Sequence, residues 1–100
     1  MLVKYVYSKR AEYQLKNIYL ETARKWGIEQ ADRYDSGLLN SIKLLAENPK
    51  LGRNCDYIRK GYRRHEYKRH IIFYRQQKNN ILITNIIYDS IDLNSFFQSK

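Results

Sequence analysis

Residues 59–75, RKGYRRHEYKRHIIFYR, bring seven Lys/Arg, two His and four aromatic rings into seventeen positions. Three kinds of work are open to such a set. Its cations could stabilise the charged pentacoordinate phosphate of a metal-free ribonuclease while His, Glu or Tyr moves protons during attack by a 2′-hydroxyl. Arg and Tyr are also the residue types that protein docking sites concentrate. In the third reading the rings pack on a core and the Arg stems snorkel to water. Alternation along a strand puts Arg63, His65 and Tyr67 on one side and Arg64 and Glu66 on the other. In the returning strand Ile71, Phe73 and Arg75 oppose His70, Ile72 and Tyr74. The residue types leave all three readings open.

Other chemistry has less to build on. Cys55, His65 and His70 lack the paired short spacings of zinc sites, so the two histidines are expected to face solvent on their strands. Gly27, Gly37, Gly52 and Gly61 are isolated, which excludes a Gly-rich phosphate loop. Cys55 lies between Asn54 and Asp56, and an adjacent carboxylate opposes formation of a nucleophilic thiolate. Paired carboxylates are also missing, since the strands offer only Glu66 and Asp89. No metal or cofactor is expected.

The elements that would position these residues are legible. LVKYVY (2–7) is rich in β-branched and aromatic residues and reads as a strand. Ser8 is a suitable N-cap. Ala11, Leu15, Ile18, Tyr19, Thr22 and Trp26 then mark one face of an amphipathic helix, closed by Gly27. A second helical face follows through Ala31, Tyr34, Leu38, Ile42 and Leu45, widened by Leu39 and Ala46, and ends at Asn48-Pro49. So short a link makes the two helices an antiparallel hairpin. After an irregular stretch over 48–60, YRRHEY and HIIFYRQ read as strands joined by a turn near Lys68-Arg69. QKNN is a further turn. ILITNIIY is a strand whose apolar residues fall on both parities, as expected of a central strand. IDLNSFFQSK is a short helix or a strand extension, with Phe96 and Phe97 tucked inward. The expectation is one α+β domain over 1–100, β-αα-βββ, with an antiparallel sheet packed against an N-terminal helical hairpin. Ile71 to Tyr74 belong to its core.

Composition sets the bounds. A chain of 100 residues with 43% apolar residues can bury one modest core. The lone Cys55 gives no internal disulfide, no apolar run is long enough for a membrane span, and MLVKYVYSKR lacks the features of a signal peptide, so a cytoplasmic protein is expected. The net charge of +9 is concentrated: residues 51–78 carry nine basic and two acidic side chains, whereas 79–100 carry one Lys and two Asp. Such a field attracts polyanions or an acidic protein surface.

The order β-αα-βββ resembles the ParE/RelE superfamily of toxins from type II toxin–antitoxin modules. SKRAEYQLKNIYLETARKWGIEQADRY, LLAENPKLGR, GYRRHEYKRHIIFYR and ILITNIIYDSIDL carry the likeness, which covers nearly the whole chain. NPxLGR and RHxIFYR at this separation point to the ParE branch. The resemblance implies a small basic toxin neutralised by an acidic ParD-like antitoxin, with indirect association to operator DNA through that antitoxin. Several ParE toxins act on DNA gyrase. RelE-like relatives instead cut messenger RNA on the ribosome with a basic cluster and a C-terminal tyrosine.

The end of the chain separates the two activities. ParE-like proteins often carry His-x-Arg-x-Asp after the last strand, and here the run is Tyr88-Asp89-Ser90-Ile91-Asp92, with Ser90 in place of Arg. Residues 79–99 contain no Lys or Arg, so an enzyme neutralising a developing dianion would lack charge on that side. The first expectation is therefore a gyrase-binding toxin without chemistry of its own, docking through Arg59, Arg63, Arg64, Arg69 and Arg75. The alternative is a ribosome-dependent endoribonuclease using Arg63, His65, Arg69, Arg75 and Tyr88. A third is a non-toxic member that serves only as an antitoxin-bound co-repressor.

Overall fold

A computed structural model describes residues 4–98. The order is β1 (Tyr5–Tyr7), α1 (Lys9–Trp26), α2 (Ile28–Glu47), β2 (Arg53–Asn54), β3 (Tyr62–Tyr67), β4 (His70–Gln76), β5 (Ile81–Tyr88) and α3 (Leu93–Gln98). The first strand is shorter than its apolar run, and Leu2 and Val3 of that run lie outside the described residues.

Ser8 starts α1 as its composition suggests. Its hydroxyl accepts from the Ala11 N–H at 2.9 Å and donates to the Thr84 carbonyl at 3.0 Å, so one side chain caps the helix and ties it to β5. Gly27 alone separates the two helices. Its φ of 95° favours glycine, its N–H bonds the Ala23 carbonyl, and its own carbonyl accepts from Ala31. Leu38, Ile42 and Leu45 of α2 are buried against the sheet, as is Ala11 of α1, and Ala31 is buried in the first turn of α2. Trp26 departs from the expected inward face: it sits at the turn end of the hairpin, next to Gly27, and is 73% exposed.

The sheet order is β1-β5-β4-β3-β2. β3 to β5 are antiparallel as expected; β2, a two-residue strand inside the stretch read as irregular, adds antiparallel to β3, and β1 pairs with β5 in parallel, Tyr5 opposite Ile81 and Tyr7 opposite Ile83. The helical hairpin carries the chain from β1 to β2 at the far edge of the sheet, and the antiparallel run from β2 to β5 brings it back to lie parallel with its start. β5 is an interior strand, flanked by β1 and β4, and its mixed parity has a definite cause. A register shift at Phe73/Tyr74 leaves Thr84 as an extra residue between Ile83, opposite Tyr74, and Asn85, opposite Phe73. Ile81, Ile83 and Ile86 therefore all join the core under the helices, while Ile87 joins a second cluster on the other face.

That second, outer cluster holds Ile71, Phe73 and Cys55, covered by Ile58, Tyr62, Phe96 and Phe97. The end of the chain is a short helix rather than a strand extension, with its phenylalanines folded over the outer face. Residues Ile71 to Tyr74 are buried to 1% exposure or less. No helix among the described residues is long and apolar enough to cross a membrane.

Candidate functional site: a cationic cleft on the outer sheet face

The hairpin of β3 and β4 divides its charged residues between two faces, and most of them are occupied. Arg64 shares the outer side of β3 with Tyr62 and Glu66. Its guanidinium contacts the Glu66 carboxylate at 2.7 and 2.9 Å, donates to the Tyr57 hydroxyl at 3.2 Å, and lies 6.0 Å over the Phe73 ring. Arg53 reaches the same carboxylate at 2.7 Å. Burial works against charge on Glu66, but the two guanidiniums outweigh it and hold the carboxyl below its ordinary range. Arg63, on the helix side, donates to the Gly52 carbonyl at 2.7 Å and so fastens the loop after α2. Both arginines are structural fasteners first.

The histidines differ from each other. His65 stays half-buried on the helix side of β3, opposite Ile72. His70 does not face solvent: it is 4% exposed, with Nδ1 2.7 Å from the Tyr34 hydroxyl and its ring 4.4 Å from that of Tyr88. Burial pushes its pKa down to about 4, against a weaker opposing pull from Asp89, so the ring is neutral at pH 7. Its Nε2 has no partner among the described residues. Arg69 and Tyr88 line a cavity of about 470 Å³ beside it, with Trp26, Glu29 and Arg33.

Arg75 lies elsewhere. It continues the outer side of β4 beyond Ile71 and Phe73 and is exposed. It lines a cleft of about 580 Å³ between the start of α1, the outer surface of β4 and β5, and α3. Arg10, Arg59 and Lys60 line the same cleft, over Tyr62, Phe96 and Phe97, and none of its lining residues is acidic. Arg59 is partly engaged, donating to the Phe97 carbonyl at 3.0 Å with its guanidinium 5.9 Å over that ring.

The seventeen-residue span from Arg59 to Arg75 thus does not form one site. Arg59 and Arg75 meet in the outer cleft, Arg63 and Arg64 are tied to the fold, and Arg69 belongs to the cavity around His70. The nuclease set of Arg63, His65, Arg69, Arg75 and Tyr88 is dispersed. Arg75 pairs with Leu82, and Tyr88 lies six residues further along β5, roughly 18 Å away. Groups acting on one phosphate must lie within about 3 Å of the atoms they serve. Sequence reading missed Arg10 and Lys60 as partners of Arg75. Arg10 lies at the start of α1, outside the charged stretch 59–75, and only the return of β5 beside β1 brings it to that surface.

A family model described as ParE toxin of type II toxin-antitoxin system, parDE, matches residues 5–93. Toxin ParE1 of Mycobacterium tuberculosis (strain ATCC 25618 / H37Rv) is 34% identical over 94 residues, covering 93% of this chain and 96% of that protein. Toxin ParE1 of Caulobacter vibrioides (strain ATCC 19089 / CIP 103742 / CB 15) is 38% identical over 71 residues, 71% of this chain and 74% of that one. A solved structure titled "Chromosomal ParDE TA system from P. aeruginosa" shares the fold, with a TM-score of 0.74 at 20% identity over 86% of this chain and 95% of its own.

Proposed function

The chain belongs to the family of ParE toxins of type II toxin–antitoxin systems, and from that premise we propose that it binds DNA gyrase in the cytoplasm and stalls replication without chemistry of its own, until a ParD-like antitoxin covers it. The observation that carries the reading is the dispersal of the acid–base and phosphate-binding candidates. Arg75 and Tyr88 sit at opposite ends of the paired strands β4 and β5, so the RelE-type alternative lacks an assembled site. What is concentrated in one place is charge: Arg10, Arg59, Lys60 and Arg75 around the outer cleft. That favours docking over catalysis.

An acidic antitoxin suits the rest of the surface. The helical hairpin exposes Tyr13, Leu20, Trp26 and Ile28 at 53–73%, and the chain carries a net charge of +9. A segment that folds on binding could cover such apolar positions while its carboxylates meet the cations. Any contact with operator DNA would then run through the antitoxin.

The test is direct. Purified protein is added to gyrase supercoiling and cleavage assays, with an in vitro translation reaction alongside. Loss of supercoiling with intact mRNA is expected. Intact supercoiling together with codon-specific mRNA cuts would sink the reading.

A further inference from the structure

The outer cleft joins cations and aromatic rings in one place, a combination that suits a nucleic-acid strand as well as a protein partner. Four cations surround it and no carboxylate lines it. The carboxylate of the neighbouring loop, Asp56, is turned onto the backbone N–H of Gly61 at 2.8 Å. Arg59 is held by the Phe97 carbonyl, which leaves Arg10, Lys60 and Arg75 exposed at the rim. Between them lie the rings of Tyr62, Phe96 and Phe97. Cations along a rim with aromatic rings on the floor are the parts by which proteins hold a nucleic-acid strand, phosphates on the cations and bases on the rings. A duplex would meet the rim alone, because its bases are stacked inside. The cleft volume of about 580 Å³ lies within the roughly 300–1,000 Å³ of pockets that enclose a small ligand. A splayed base can enter such a space.

We propose that the outer cleft is a groove for a single strand of nucleic acid, with Arg10, Lys60 and Arg75 on phosphates and a base against Tyr62, Phe96 and Phe97. The lining contains no imidazole and no carboxylate, so the strand is held and not cut. The cavity beside His70 is less suited, because Glu29 shares its lining with Arg33 and Arg69. The inference rests on the cleft as the working surface of the toxin and not on gyrase as its target.

Fluorescence anisotropy on the full chain tests it, with a labelled DNA strand of about 12 nucleotides, the RNA strand of the same sequence, the DNA duplex, and an abasic strand of equal length. Three phosphate contacts predict that log K falls with log salt at a slope of about −2. Arg10→Ala/Arg75→Ala should flatten that slope by roughly 1.4. Lys16→Ala/Lys43→Ala removes the same charge from exposed positions on the helices and should leave the slope unchanged. The abasic strand should bind roughly tenfold more weakly. Preference between the DNA and RNA strands would identify the sugar. No binding, equal flattening in both double variants, tighter binding of the duplex, or equal affinity for the abasic strand would each overturn the proposal. Strand binding without gyrase inhibition removes the gyrase reading and keeps this one, and the reverse result does the opposite.

Discussion

The hydroxyl of Tyr74 accepts a hydrogen bond from the backbone N–H of Gly52 at 2.9 Å, and it donates to the Pro49 carbonyl at 2.7 Å. Gly52 is buried, and a Cβ there would stand 2.5 Å from that hydroxyl and 2.9 Å from the Arg64 carbonyl oxygen. NPKLGR and RHIIFYR are therefore two sides of one contact, which sets the loop after α2 against the middle of the sheet. Tyr74→Phe leaves a buried N–H without its acceptor and should cost about 1–3 kcal/mol. Gly52→Ala should cost a similar amount through steric overlap, roughly 1–3 kcal/mol. Urea denaturation checks both, and a midpoint unchanged in Tyr74→Phe would show that the hydroxyl is not needed.

The same contact shows what a sequence can disclose. Helix faces, the Ser8 cap, the Gly27 break and the Ile71–Tyr74 core follow from local periodicity and turn chemistry, and all are present in the fold. The partners of those residues are non-local. Alternation places His70 with Ile72 and Tyr74 but cannot say that their side meets the helices, so the burial of His70 was missed. The parallel pairing of β1 depends on how the helical hairpin crosses the sheet, and with it went Arg10. The bulge at Thr84 hid behind an apolar run that looks the same in either parity. Charge density was legible along 59–75, but its division between ion pairs and open cations was not.

Stability should fall in mild acid because of His70. Its pKa is pushed down to about 4 from an ordinary 6.5, so the unfolded chain binds the proton first as pH drops. The folded state is unpenalised above pH 6.5 and loses stability as pH falls from there toward 4, by about 2–3 kcal/mol over the window. Thermal melts of the wild type and His70→Gln at pH 7, 5.5 and 4.5 separate this from the general acid response. The difference between the two proteins should narrow as pH falls, and a constant difference would show that His70 does not titrate in that range.

Gly37 lies in the middle of α2, where alanine would normally favour the helix by about 1 kcal/mol. A Cβ there would overlap the Tyr67 hydroxyl and the ring carbon that bears it. Tyr67 in turn packs edge-on against Tyr34, with ring centroids 5.2 Å apart. Gly37→Ala should therefore destabilise by roughly 1–3 kcal/mol despite its better propensity. In a Tyr67→Ala background the same change should become neutral or favourable, a coupling that a double-mutant cycle reads directly.

The arginines make the sharpest functional contrast, because the structure gives neighbouring residues opposite duties. Arg64 is bound to Glu66 and Tyr57 over Phe73, so Arg64→Ala should lower the melting temperature and reduce toxicity only through loss of folded protein. Arg75 is exposed at the rim of the cleft, and Arg75→Glu should leave the melting temperature within the small range of ordinary surface changes, about 0.5 kcal/mol. Its toxicity on expression without antitoxin should nevertheless fall at least tenfold, with antitoxin binding retained, since reversal removes a cation from the rim of the cleft and puts an anion in its place. Tyr88→Phe keeps the ring stacked on His70, 4.4 Å away in the wild type, and removes only the hydroxyl that a nuclease would use. It should remain fully toxic. Full toxicity in Arg75→Glu would place the working surface elsewhere, and loss of toxicity in a folded Tyr88→Phe would return a proton-transfer mechanism to this fold.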